Sequence, residues 1–164
     1  MVNTLLDALV EYPAKAIQKI GTDQTVVSLL TNDPAIDMES DEADEVFEKY
    51  IFDYEYVDST TSEAAAYICV EADLANIPTA TIKDMRLYVR VVCHKNFMGI
   101  DPAKFKGIIG NRRDNLTRYV DSLLNGSDVF GIGKLHLLSC RAAPAPTGFA
   151  ARELAYKVAD FKDK

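Results

Sequence analysis

The sequence has no tryptophan, only two histidines, and no continuous apolar run of about 18 residues, the length at which a helix begins to span a bilayer. Its N-terminus also lacks the basic start and the small-residue cleavage site of a secretory signal peptide. We therefore expect a soluble, unexported protein without membrane contact. With 164 residues, 48% of them hydrophobic, the chain is long enough for one ordinary core, and we expect a single domain over residues 1–164.

Cysteine is also scarce. The three cysteines, Cys69, Cys93 and Cys140, are odd in number and far apart, and each lies in an apolar, strand-like run. This pattern argues against a disulfide framework and against a zinc site. It favours buried, reduced thiols.

Neither histidine belongs to a catalytic or metal-binding motif. His94 follows Cys93, but no nucleophile elbow, no His-x-x-x-His pair and no Cys-x-x-Cys pair accompanies it. The glycines at 126–133 do not form a phosphate-binding loop, because Lys134 is followed by leucine rather than serine or threonine. A small-molecule enzyme that uses His94 is therefore the least supported function, and we expect no catalysis, no cofactor and no metal.

Glycine is absent between Gly21 and Gly99, and this gap contains a cluster of acidic residues at 37–48. A calcium-binding loop of the common type needs a glycine among its acidic ligands, so the cluster does not match one. We expect a solvated or mobile acidic loop, with residues 33–48 as a candidate insertion in the domain.

The net charge of -7 is unevenly distributed along the chain. Residues 1–73 contain 17 acids and 3 lysines, whereas residues 74–164 contain 8 acids and 15 bases, so the two parts carry -14 and +7. One explanation is that an acidic segment folds against a basic one. The other is a subunit with opposite charges on different surfaces, which favours head-to-tail packing in a ring.

The longest alternating run predicts the central strand. Apolar residues occupy every second position from Met85 to Cys93, the period of a strand with one face in a core.

A helix is predicted over residues 112–124, ending at Asn125-Gly126. Its apolar stripe contains Leu116, Val120, Leu123 and Leu124, and its solvent-facing side contains Arg112, Arg113, Asp114, Arg118 and Asp121.

The remaining periodicities complete an α+β fold. The N-terminal segment predicts two short helices or one broken near Tyr12 by Pro13, followed by a helix over residues 24–30. Further strands are predicted at residues 50–57, with an aromatic row on one face, and at 66–74, 133–141 and 149–161, whereas the prolines of residues 142–148 predict a loop. We expect a mainly antiparallel sheet of about five strands, flanked by an N-terminal helical segment and one amphipathic helix.

A basic segment at residues 104–113 suggests a second function. Lys104, Lys106, Arg112 and Arg113 lie beside two glycines and a helix N-terminus, a setting that suits phosphate. The alternative function is therefore a nucleic-acid-binding module that uses these four side chains.

The order of elements and several local strings resemble the tail-terminator (tail-completion) and neck proteins of long-tailed bacteriophages. The resembling parts are the N-terminal helix, the strand at 85–94 with its basic loop, the helix at 112–124, the strand that begins near Phe130-Gly-Ile-Gly133, and the closing segment at 152–161. The resemblance implies a non-enzymatic protein that forms a ring, usually a hexamer, at the head-proximal end of the tail or in the neck of the virion. Its partners would be further copies of itself, the tail tube protein and the head-tail connector, with assembly in the cytoplasm of the host bacterium.

In such a ring DNA passes through the lumen without specific binding, and sheet edges and inter-strand loops supply the subunit contacts. We expect contacts from residues 59–65, 95–107 and 142–148. The basic side chains predicted to take part in interactions are Lys95, Lys104, Lys106, Arg112, Arg113 and Arg141.

Overall fold

The structure is a computed structural model that describes residues 4–161, and it places one five-stranded sheet against a layer of helices. The strand order is β1-β2-β3-β5-β4, which makes β3 the central strand. In chain order the elements are α1 (Ala8–Gly21), α2 (Gln24–Thr31), α3 (Asp41–Asp44), α4 (Val46–Lys49), β1 (Ile51–Phe52), β2 (Ala66–Asn76), β3 (Ile82–His94), a 3-10 helix (Lys95–Phe97), α5 (Arg112–Leu124), β4 (Ile132–Ala143) and β5 (Phe149–Phe161).

The prediction of β3 as the central strand is confirmed. Its alternate residues from Met85 to Cys93 are buried, and they form the main core together with the same-facing residues of β2 and β5 and with the helices. β2 and β5 flank β3 in antiparallel directions, and β4 is antiparallel to β5. We call the other side of the sheet, from which Tyr88 and Arg90 project, the helix-free face.

The predicted strand at residues 50–57 is wrong beyond Phe52. β1 has only two residues and pairs with β2 in parallel, so the sheet is mixed rather than purely antiparallel. After Phe52 the chain leaves the edge, because Val57 is buried in a second apolar cluster with Tyr67 and Val92 on the helix-free face. The aromatic side chains of the segment still contact one another, and Phe52 stacks on Tyr56 with 3.9 Å between ring centroids.

The predicted break of the first helix at Pro13 is also wrong. Helix α1 continues through Pro13, and Tyr12, Ala16 and Ile20 are buried. Proline removes a single helical hydrogen bond, and the burial of this apolar face against the sheet offsets that loss.

Buried polar side chains attach α1 to the end of the sheet at which β3 begins and β5 ends. The Tyr12 hydroxyl donates a 2.9 Å hydrogen bond to Asp160 Oδ2, and Lys83 Nζ lies 3.9 Å from the same oxygen. Lys83 also donates to the Leu5 carbonyl at 3.2 Å. Burial and the Asp160 carboxylate raise the pKa of Tyr12 above its ordinary value.

The acidic segment is helical rather than a loop, although its acidic side chains are exposed to solvent as the sequence suggested. It contains α3 and α4, and Ala43 and Val46 are buried in the main core. The Ser40 side chain caps α3 by accepting a hydrogen bond from the Ala43 N–H. Because carboxylates are favoured at a helix N-terminus, the acids of the first turn of α3 suit a helix while remaining in solvent.

Helix α5 has the predicted bounds and the predicted termination. Asn111 Oδ1 accepts a 2.8 Å hydrogen bond from the Asp114 N–H at its start, and Gly126 has a positive φ of 81° just after its end. Leu116, Val120 and Leu124 are buried against the sheet. The apolar stripe was therefore read correctly, with Leu123 half-buried beside it.

The cysteines divide into two environments. All three are free, and Cys69 and Cys93 are buried as predicted, whereas Cys140 is exposed. The prediction for Cys140 was wrong because β4 is an edge strand, so its residues receive cover from one neighbouring strand only. Burial raises the pKa of the Cys93 thiol to about 11.

Candidate interaction surface

Three loops predicted to make contacts lie at the same end of the sheet. β2 and β5 begin at this end and β3 and β4 end there, because neighbouring strands run in opposite directions. The Lys95 N–H donates a 2.8 Å hydrogen bond to the Gly148 carbonyl, and the His94 N–H donates a 3.0 Å bond to the Ala65 carbonyl. We call this surface the loop end; it consists of residues 58–65, 95–111 and 144–148.

Three of the six predicted interaction residues are exposed on the loop end: Lys95, Lys104 and Lys106. Between the last two, Phe105 is buried in the main core and anchors the long loop. Asp101 stabilises the preceding turn by accepting a 2.9 Å hydrogen bond from the Ala103 N–H. The two lysines therefore flank a fixed point rather than a freely moving segment.

Arg112 does not face solvent, contrary to the sequence-based prediction. Its side chain is 2% exposed, and its guanidinium donates to four oxygens. The acceptors are the carbonyls of Phe97 (2.8 Å), Leu29 (2.6 Å) and Gly99 (3.1 Å) and Asn32 Oδ1 (2.9 Å).

The position of Arg112 explains this burial. Leu29 and Asn32 lie at the end of α2, where orphan helix carbonyls favour a cation. The guanidinium carbon also lies 4.0 Å from the centroid of the Phe97 ring. We call this arrangement the Arg112 clamp; it joins α2, α5 and the start of the long loop. It engages four of the five N–H donors of a buried guanidinium, so this side chain does not present itself to a phosphate in solvent.

Arg113 is also engaged within the chain. Its Nε donates to Asp114 Oδ1 at 2.9 Å, and Arg152 Nε donates to the same oxygen at 2.5 Å. The hydrogen bond from Arg152, followed by those from Arg113 and Asn111, holds the pKa of Asp114 below its ordinary range. The basic segment at 104–113 thus separates into two exposed lysines and two arginines with internal partners.

His94 has a structural position at the loop end. Its Nδ1 accepts a 3.1 Å hydrogen bond from the Asn96 N–H, which caps the 3-10 helix, and its ring packs edge-on against Phe149. The other histidine, His136, is exposed on β4. Within residues 4–161, no group of three or more His, Cys, Asp or Glu side chains is placed to hold a metal ion.

Arg141, the sixth predicted residue, is exposed on β4 and lines a groove on the helix-free face. The groove has a volume of about 490 Å³ and is bounded by β4, the 144–146 loop and the segment at residues 55–57, which crosses the helix-free face. Arg90 lies within it and donates to Glu55 and to the Pro144 carbonyl. Sequence reasoning did not single out Arg90, although its place on the polar side of the alternating β3 run was the available signal.

Comparison with known proteins gives one family. A protein-family model described as YomW matches residues 23–158, which is most of the chain. This name is that of a phage-derived, SPbeta-like protein family and indicates a phage-associated protein. No curated protein matches the chain. None of the described helices has the length and apolar character required to cross a membrane.

Proposed function

Because the chain belongs to the YomW family of phage-associated proteins, we propose that it is a structural protein of the virion, a tail terminator or a closely related neck component. In this proposal copies form a closed ring of about six, as the resemblance to tail-terminator proteins implies. The ring caps the tail tube and joins it to the head. It acts by shape and charge complementarity, and no catalytic step is involved.

The observation that carries this proposal is the gathering of three exposed loops at the loop end. A rigid sheet that presents several loops from one end suits the docking of a ring onto a flat neighbouring ring. Within the long loop at residues 95–111, Lys95, Lys104 and Lys106 outnumber Asp101, so an acidic rim on the tail tube protein or on the head-tail connector would complement this part of the loop end. DNA would pass through the lumen without specific contacts.

The alternative function, a nucleic-acid-binding module, is less well supported. It relied on four basic side chains, but Arg112 donates to four internal oxygens and Arg113 is paired with Asp114. Two lysines alone provide little of the phosphate neutralisation on which such binding depends. Salt-dependent binding of DNA or RNA at low ionic strength, abolished in a Lys104→Glu/Lys106→Glu variant, would favour this alternative instead.

The mass of the assembled protein tests the proposal. We expect light scattering to give a ring of about six copies, alone or on purified tail tubes. The Lys104→Glu/Lys106→Glu variant should still form the ring but bind tail tubes or connectors less tightly. A Lys15→Glu/Lys19→Glu variant, with the same charge change on α1, is the matched control. A strict monomer, even with tail tubes and neck proteins added, would refute the proposal.

A further inference from the structure

Each side of the sheet has a free edge segment. β1 pairs with only two residues of β2, so among the described strands the segment Val70–Asn76 has β3 as its sole neighbour. On the other side, the Asn125–Ser127 turn bonds to the backbone of Leu135 and Leu137, and it leaves Leu138–Ala143 of β4 without an outer neighbour in the part of the chain that the structure describes. Such edges present peptide groups that can pair with another chain.

The two free segments carry opposite charges. Glu71 and Asp73 are exposed on β2, and Arg141 is exposed on β4, with Lys134 exposed earlier in the same strand. Strand pairing places Glu71, Asp73 and Arg141 on the same face of the sheet, the helix-free face. Two like edges brought together would repel, whereas unlike edges would attract. The two free edges of the sheet are thus complementary in charge.

We propose that copies of this chain join head to tail, with Leu138–Ala143 of one copy beside Val70–Asn76 of the next. This inference rests on the ring of the proposed function and names the surfaces that form it. β2 and β4 run in opposite directions, because each of the three intervening pairings is antiparallel. A neighbour in the same orientation therefore meets β4 with an antiparallel β2, and the sheet continues with its helix-free face on the same side.

The positions of the two segments suit a closed ring. The strand pairings place Val70 of β2 level with Cys140 of β4, through Val89 and Leu154. Val70 is the first residue of its free segment, whereas Cys140 lies near the middle of its own. The two free segments are therefore offset along the strand direction. A sheet that closes on itself requires such a stagger. Leu138, which is 53% exposed, supplies apolar surface in the free part of β4.

Charge reversal tests the pairing of the two edges. We compare Glu71→Lys/Asp73→Lys with Lys134→Glu/Arg141→Glu. Alone, each variant has two edges of the same sign, and we expect about a sixfold loss of mass, from ring to monomer. Mixed in equal amounts, the variants should restore the ring in alternating order. A chain that carries all four reversals should also assemble, because its edges are again opposite in sign.

The control and a second readout separate the outcomes. The Lys15→Glu/Lys19→Glu variant is the control and should assemble like the wild type. The second readout is the reactivity of Cys140, which lies in the free segment of β4. Cys140 should react with a thiol reagent at least about tenfold more slowly in rings than in the charge-reversed variants. Slow labelling of Cys69 and Cys93 verifies that each variant is folded. If the wild type forms rings and folded single-edge variants do so equally well, or if mixing them restores nothing, this pairing is refuted while the ring stands. If the wild type forms no ring under any condition, the proposed function fails as well.

Discussion

Replacing Arg112 by alanine tests the Arg112 clamp. The substitution removes four hydrogen bonds and leaves the carbonyls of Leu29, Phe97 and Gly99 and the amide oxygen of Asn32 without this donor. A hydrogen bond from a charged donor contributes about 1.5–3 kcal/mol, so four would give about 6–12 kcal/mol as an upper bound. Water can reach part of the site once the side chain is gone, and the substitution also removes the cost of burying the guanidinium, so the loss should fall below this bound, at about 3–5 kcal/mol. We expect a loss within that lower range.

Urea denaturation at a fixed chain concentration is the appropriate assay, because assembly shifts the apparent stability. With a slope of about 2 kcal/mol per molar urea, the expected loss lowers the midpoint by roughly 1.5–2.5 M, with the slope unchanged. Arg112→Lys should recover only part of the lost stability, since an ammonium group cannot reproduce the planar set of N–H donors of a guanidinium. Arg113→Ala is the matched control and should cost about 0.2–1 kcal/mol, as for a surface ion pair. Equal midpoints for Arg112→Ala and Arg113→Ala would refute the role assigned to the clamp.

Three further predictions concern single groups. The depressed pKa of Asp114 contributes stability above the unfolded pKa of about 3.9, and this contribution is lost as the pH falls through the folded pKa, so Asp114→Asn should flatten the acid side of the plot of melting temperature against pH. Tyr12→Phe removes the hydroxyl donor to a buried carboxylate and should cost about 1–2 kcal/mol in urea denaturation. A thiol reagent should modify Cys140 rapidly in native monomers and Cys69 and Cys93 only after denaturation, because burial raises the pKa of both.

Each of these predictions has an outcome that would contradict it. Parallel pH curves for wild type and Asp114→Asn would show that the Arg152 pair does not contribute to acid stability. For Tyr12→Phe the control is Tyr54→Phe, whose ring is 52% exposed, and equal losses in the two variants would exclude a role for the buried hydrogen bond. Rapid native labelling of more than one thiol per chain would contradict the burial of Cys69 and Cys93.

The sequence predicts well the elements whose pattern is local and long. The alternation in β3 extends over many residues, and α5 has both an apolar stripe and a stop at Gly126. The closing strand, β5, was placed with its observed bounds because it alternates and follows a proline-rich loop. In these segments the periodicity and the tertiary packing require the same structure.

The incorrect predictions occur where tertiary contacts decide the outcome. Pro13 disfavours a helix locally, but the buried face of α1 maintains one. Arg112 was assigned to solvent by the helical pattern, and its burial depends on Leu29 and Asn32, about 80 residues earlier in the chain. The end of β1 at Phe52 likewise reflects the burial of Val57 across the helix-free face, which no alternation in the sequence indicates.

The Arg112 clamp also affects the energetics of docking at the loop end. The long loop leaves the core beside Phe97 and Gly99 and returns to it at Asn111, and the same guanidinium holds the first two of these to α2. With Phe105 buried between the lysines, much of the conformational entropy of the loop is lost on folding rather than on association. A partner that binds Lys104 and Lys106 therefore meets a preorganised surface and bears less of the ordering cost that weakens contacts made by flexible loops.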